Sequence, residues 1–368
     1  MYNRRMSSYV FILGRESDLA IAEIKAVLPE AKISQQTGDY LILDGDIDCQ
    51  ETMNRLGGTI KIGAVAGKVE PDVMVELLKS KEGKIKFGLS FYTKKADRRL
   101  GMEVKSRLKE QGKSARLVTS KEKTLSAVVI TKNKCQDFMV LPDNTLAQTC
   151  AVQDFEDYSK RDYGRPGSDP KSGMLPPKLA KMMINLSQVK PNETLLDPFC
   201  GSGTVITEAL VMGQKDLLGF DVNKKAVDDT LKNIEWVAEK YNLKEFKCGV
   251  EQNDVFKLSS KLKKNSVDVI VTEPFLGPPL RGGENDAQMA KTLNELDDLY
   301  RGSLAEFKKV LKPGGRVVMI IPSFSIKGRT YELPLINQIE NDWKVEGKPL
   351  SYAREGQKVI RNIWQLTN

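Results

Sequence analysis

The run TEPFLGPPLRGG, Thr272 to Gly283, sets an acid, a proline and an aromatic ring side by side. An amino group on an aromatic base is a poor nucleophile, because its lone pair is delocalised into the ring. A carboxylate from Glu273 and the carbonyl of Pro274 can accept its hydrogens, aim the lone pair and take up the released proton, while Phe275 stacks on the base. Pro278 and Pro279 stiffen a second turn, and Arg281 is placed to hold a phosphate. The chain contains no histidine, which excludes Ser-His-Asp and Cys-His catalysis, His metal sites and a His general base. With no cysteine in this loop, carbon-5 pyrimidine chemistry through a covalent cysteine adduct is disfavoured.

Amino-group chemistry of this kind needs an activated one-carbon donor, and a second motif offers a place for one. In DPFCGSGT, Asp197, Pro198, Phe199, Cys200, Gly201 and Gly203 leave a strand and enter a helix, so a ligand meets bare backbone there. A dinucleotide fingerprint would carry Gly or Ala three residues after Gly203, where Ile206 stands, and the lysine of a phosphate-gripping loop is missing. The ligand is therefore expected to be a nucleoside without pyrophosphate, a description that S-adenosyl-L-methionine meets. Asp221, followed by Val222, lies 24 residues after Asp197 and can accept both ribose hydroxyls. Asp254, followed by Val255, can accept from an adenine amino group, although aspartates also cap loops. Cys200 is expected to be a small buried side chain of the cofactor turn.

The elements that must position these residues form an α/β chain. From residue 176 onward strands such as TLLDPF, DLLGFD, VDVIVTEPF and RVVMIIP alternate with amphipathic helices, which describes a parallel sheet covered on both faces. WKVEGKPLSYA and VIRNIWQLT add an antiparallel edge hairpin. Residues 1–70 read as a small α/β scaffold, with Ser17 as N-cap of its helix. Residues 71–150 read as a second α/β module in which SAVVITKN is a strand, and 151–175, rich in Gly, Pro, Asp and Ser, as a linker.

The charge is uneven. The net is +8, yet residues 71–134 hold 17 Lys or Arg against 7 Asp or Glu. Arg98, Arg99, Lys105 and Lys109 stud the helix of that module, an arrangement suited to shape-and-phosphate contact with folded RNA. The same charges also fit a merely solvated helix face. The five cysteines are scattered without a C-x-x-C pair, so neither a disulfide framework nor a structural metal is expected. No apolar run long enough for a membrane span or a secretory signal stands out, and a cytoplasmic protein is expected.

DPFCGSGT, GFD, QND and the EPF loop resemble the motifs of amino-group methyltransferases, and with the first two modules the chain resembles the tRNA guanine-10 N2-methyltransferases over nearly its full length. YVFILGRESDLAIAEIKAVLP is similar to that family's opening, and RDYGRPGSDPKSGMLPPKLAKMMINL to its approach to the catalytic domain. The resemblance implies a ferredoxin-like domain (1–70), a THUMP RNA-binding domain (71–150) and a Rossmann-like methyltransferase domain (176–368), with S-adenosyl-L-methionine as cofactor, no metal, and the N2 amine of guanine 10 in tRNA as target. It leaves open a small activator protein and the oligomeric state. The family's loop reads Asp or Asn, Pro, Pro, aromatic, whereas this chain has Glu273-Pro274-Phe275-Leu276. That departure puts the target base in question more than the reaction, and keeps two rivals in view: an adenine-N6 methyltransferase, and an RNA-binding protein that retains the adenosyl site without catalysis.

Overall fold

The computed structural model describes residues 7–168, 174–354 and 356–368, in two compact units, 1–157 and 158–368. In the first, strands β1 (Ser8–Leu13), β2 (Lys32–Gln36), β3 (Tyr40–Asp44), β4 (Thr59–Lys68), β5 (Ile85–Phe91), β6 (Ala115–Val118), β7 (Gln136–Val140) and β8 (Thr145–Val152) make one sheet in the order 2-3-1-4-8-7-5-6. Helices α1 (Ser17–Val27), α2 (Cys49–Arg55), α3 (Pro71–Lys79), α4 (Arg99–Glu110) and α5 (Ala127–Asn133) complete it. The pairing of β4 with β8 carries the sheet without a break from residues 1–70 into residues 71–150. At the centre of the sheet a buried Lys61 ammonium bonds the Asp137 carboxylate at 2.9 Å and the Ser90 hydroxyl at 3.0 Å, so its charge is matched where water is excluded.

Three expectations need correction in this unit. SAVVITKN is not a strand but α5: the Ser126 hydroxyl accepts from the Val129 N–H and Lys134 ends the helix at positive φ. β6 and β7 both run parallel to β5, one on each side, so the chain between them must cross over the sheet, and a helix makes that crossing despite the β-branched run. Helix α1 begins at Ser17, with Glu16 in the cap position and no side-chain cap bond. The disulfide expectation fails as well. Cys49 at the start of α2 and Cys150 in β8 lie 101 residues apart in sequence, and the fold brings their Cα atoms to 5.9 Å in a disulfide.

The chain passes into the second unit within α6 (Phe155–Tyr163, inside the stretch read as linker), and that unit contains α7 (Pro177–Leu186), β9 (Thr194–Asp197), α8 (Thr204–Val211), β10 (Asp216–Asp221), α9 (Lys224–Lys240), β11 (Lys247–Gln252) and the short α10 (Leu258–Lys261). Then follow β12 (Val267–Thr272), α11 (Asp286–Val310), β13 (Leu311–Ile326), β14 (Arg329–Glu332), the short α12 (Ile339–Asp342), β15 (Lys344–Val345), β16 (Leu350–Tyr352) and β17 (Val359–Thr367). The main path of the sheet is 11-10-9-12-13-17-15, with β14 on β13 and β16 on β17. Strands β9 to β13 are parallel and β17 is antiparallel, as the edge-hairpin expectation required. Strand order reverses between β9 and β12, which opens a crevice beyond their carboxyl ends. The largest core lies in this unit, where Tyr300 and Phe307 of α11 pack with Met319, Ile321 and Phe324 of β13. No helix among the described residues is long and apolar enough to cross a membrane.

The disulfide yields a test. Linking residues so far apart restricts the unfolded chain, a contribution of about 4 to 5 kcal/mol. Cys150 is exposed and open to reductant. Calorimetric unfolding is expected to show a lower midpoint for the N-terminal unit after reduction and in Cys49→Ser protein, and equal midpoints would remove the disulfide as a source of stability.

Candidate active site

The crevice holds a cavity of about 460 Å³. Its wall includes Asp197, Phe199, Cys200, Gly201, Asp221, Val222, Glu273, Pro274 and Phe275, so the glycine turn, the second-strand acid and the Glu-Pro-Phe loop meet in one place. Pro198, Gly203, Asp254, Val255 and Arg281 are not part of that wall. Gly203 shapes the turn from behind, since a Cβ there would lie 2.7 Å from Thr230 Cγ2, and its φ of +81° favours glycine. Asp254 follows β11 and accepts from the Phe256 N–H at 3.0 Å, the capping role its residue type also allowed. Val255 is buried in the core, and Arg281 is exposed on the loop beyond Gly277. Arg98, Arg99, Lys105 and Lys109 are exposed on or beside α4, in the other unit, where Arg99 pairs with Asp97.

Each acid is held differently. Asp197 ends β9 and is 2% exposed. It accepts from the Thr272 hydroxyl at 2.7 Å and the Phe199 N–H at 3.2 Å, and burial pushes its carboxyl up to about 7. Asp221 ends β10 and accepts the Gly201 N–H at 2.9 Å with one oxygen and the Asn223 N–H at 2.8 Å with the other. Those bonds tie the glycine turn to the second strand and orient the carboxylate toward the cavity it lines. Glu273 follows β12 and is ion-paired to Arg361 of β17 at 2.6 Å. Burial raises its carboxyl above the usual range, and the guanidinium pulls it back.

The apolar parts of the wall suit flat rings. Phe275 is 58% exposed and Val222 69%, unusual for large apolar side chains unless they face a ligand or partner. The buried Tyr300 hydroxyl donates to the Phe275 carbonyl at 3.3 Å and fixes the loop. Gly201, at φ +53° with nothing within 4 Å of where its Cβ would stand, leaves room for a ligand against the backbone. A nucleoside carrying a small charged tail fits this chemistry: hydroxyl acceptors at Asp221, bare backbone at Gly201, apolar surface at Val222, and a buried acid at Asp197 for a cation.

Several supports escaped sequence reasoning. Arg361, Tyr300 and Thr272 hold the loop and its acids. Thr230 donates to the Gly201 carbonyl at 2.7 Å, and Asn233 donates at 2.8 Å to the carbonyls of both Ser202 and Gly167, binding the turn to the segment that approaches it. The Arg165 guanidinium donates to Thr204 Oγ1 at 2.6 Å, and Arg161 pairs with Glu208 inside the core at 2.5 Å. The basic residues of RDYGRPG were the signal for that anchorage.

The chain is similar to several known proteins. A family model described as an RMKL-like methyltransferase domain matches residues 167–334, and one described as DNA methylase matches residues 78–232. A Pyrococcus abyssi protein named tRNA (guanine(10)-N2)-dimethyltransferase is 26% identical over 351 residues, 88% of this chain and 94% of that protein. A protein of the same name from Methanocaldococcus jannaschii is 30% identical over 253 residues, 66% of this chain, and the chain spans only 60% of its length. The crystal structure of TrmN from Thermus thermophilus shares the fold, with a TM-score of 0.56 at 14% identity over 98% of this chain and 99% of that one.

Asp197 gives the site a pH signature. Its carboxyl titrates near 7, so a cation that pairs with it needs the ionised form. The affinity for S-adenosyl-L-methionine, which carries an ammonium group, is expected to fall about tenfold for each pH unit below 7, and Asp197→Asn protein should bind more weakly with a flatter profile. Calorimetry across that range checks it. A wild-type affinity independent of pH would show that Asp197 does not meet the cation.

Proposed function

We propose that this chain is a tRNA guanine-N2-methyltransferase, which methylates the exocyclic N2 amine of a guanine in tRNA, at position 10 as in the names of its relatives. The observation that carries this reading is the presence of Glu273, Pro274 and Phe275 on the wall of the same cavity as Asp197, Gly201 and Asp221. When bound, S-adenosyl-L-methionine supplies an electrophilic methyl group. The chain's own residues do the rest. Asp221 accepts the ribose hydroxyls, Gly201 offers backbone, and Asp197 meets the cationic tail. Phe275 stacks on the target base and sets its plane. The Glu273 carboxylate and the Pro274 carbonyl accept the two N–H groups of the amine, which turns the nitrogen lone pair toward the methyl group. As the new bond forms, the amine becomes more acidic and Glu273 takes its proton.

The tRNA body is held by the basic module of residues 71–150, THUMP-like in this reading, with residues 1–70 as its ferredoxin-like companion and the cytoplasm as the place of action. Lys105 and Lys109 contact phosphates, and Arg281 holds a phosphate near the target nucleotide. Such contacts release counterions, so each one removed lowers the slope of log affinity against log salt by about 1. Charge reversal at Lys105 or Lys109 is expected to flatten the slope measured by filter binding with tRNA. Unaltered slopes in both variants would return α4 to a solvated face.

Methyl transfer itself is tested with radiolabelled donor on bulk tRNA and on DNA, using wild-type and Glu273→Gln protein. Transfer to tRNA, not DNA, is expected. Glu273→Gln keeps size and one acceptor but loses the charge, so transfer should drop about 10²-fold or more while donor affinity stays near wild type. Transfer to DNA alone would point to the DNA methylases, and no transfer by wild-type protein that still binds the donor would make this an RNA-binding protein with an adenosyl site.

A further inference from the structure

Glu273 stands where the family's loop has Asp or Asn, and the longer side chain has a partner. Arg361 lies in β17, two strands away: β12 pairs with β13 so that Thr272 faces Met319, and β13 pairs with β17 so that Pro322 faces Arg361. Arg361 therefore sits near the carboxyl ends of the parallel strands, and its Nε donates to Glu273 Oε1 at 2.6 Å, with both side chains only 12% exposed. An aspartate at 273 would fall short of that contact by about one carbon–carbon bond, roughly 1.5 Å.

Resting on the role proposed for Glu273, we infer that Arg361 is a positioning residue for methyl transfer: it fixes the direction of the Glu273 carboxylate and keeps it an acceptor for the incoming amine. Without a fixed partner the longer glutamate gains a rotatable bond that aspartate lacks. The ion pair holds that bond still and leaves Oε2 for the amine. The same contact opposes the effect of burial. Among the described residues, the titratable groups that face Glu273 are Arg361 from β17, Asp197 from β9 and Tyr300 from α11. Asp197 and Tyr300 are an acid and a phenol, so Arg361 supplies the cation that favours the charged carboxylate.

Removing Arg361 leaves burial unopposed, so the Glu273 carboxyl titrates at higher pH and the acidic limb of kcat moves the same way. The full-length protein is assayed with saturating S-adenosyl-L-methionine and tRNA across pH. Arg361→Met is expected to lose about tenfold or more in kcat at neutral pH, with the acidic limb displaced alkaline by about one to three pH units and recovery at high pH. Arg361→Lys, which keeps the charge, should restore much of the low-pH activity. Glu273→Asp, which cannot reach Arg361, should shift its limb in the same direction and decides the matter if Arg361→Met does not fold. Donor affinity should stay at wild type throughout. A readout independent of turnover is the 13C resonance of the Glu273 carboxyl, assigned by its loss in Glu273→Gln, which should titrate at higher pH in Arg361→Met than in wild type and return toward wild type in Arg361→Lys. A lowered thermal midpoint with an unmoved pH profile and an unmoved resonance would make the ion pair a strand staple and overturn the inference. If Glu273→Gln retains wild-type transfer, the proposed role of Glu273 fails instead. If it is inactive while Arg361→Met follows the wild-type profile, only the inference about Arg361 fails.

Discussion

Carboxylates set beyond the carboxyl ends of a parallel sheet lose most of their water, and the second unit is organised around that loss. Three acids leave adjacent strands, and each is compensated by a different kind of group. Asp221 takes two backbone N–H groups, Asp197 a hydroxyl and one N–H, and Glu273 a guanidinium. A carboxylate bonded to a cation or to several N–H groups stays charged more readily than one bonded mainly to a hydroxyl. Burial holds Asp197 up near 7, and it raises Glu273 while Arg361 draws that carboxyl back toward ionisation. The site thus contains one acid that burial lifts toward neutral pH and another whose burial is opposed by a guanidinium.

The scaffold makes these compensations possible. Reversal of strand order between β9 and β12 opens the crevice, and the antiparallel β17 adds a long side chain from beyond β13. Helix α9 packs so closely behind the glycine turn that Thr230 touches where a Gly203 side chain would be, and Asn233 of the same helix binds both the turn and the segment leading to it. Helix α11 contributes Tyr300, buried and bonded to the loop carbonyl. Rigidity of the loop is therefore a product of packing from several elements rather than of its prolines alone.

What was legible in the sequence was local. The glycine turn, the acid at the end of DLLGFD and the Glu-Pro-Phe loop each announce themselves within a few residues, because strand ends and tight turns demand particular residue types. Partners distant in the chain left no such mark. Arg361 lies 88 residues after Glu273, and nothing in VIRNIWQLT marks its arginine without the register of β17 on β13. Cys49 and Cys150 were invisible as a pair for the same reason, since two scattered cysteines meet only after the first sheet has formed. At α5 the failure was of another kind: a β-branched run argued for a strand, and the crossover between parallel strands prevailed over propensity. Asp254 follows β11 and accepts the Phe256 N–H as a cap.

The central claim is that the Glu273 loop and the adenosyl cavity act together on a guanine amine of tRNA, and the reaction product tests it most directly. Nucleosides from tRNA incubated with the protein and S-adenosyl-L-methionine, separated and read by mass spectrometry, should contain N2-methylguanosine mapping to position 10. Methylated adenosine without methylated guanosine would contradict the choice of base.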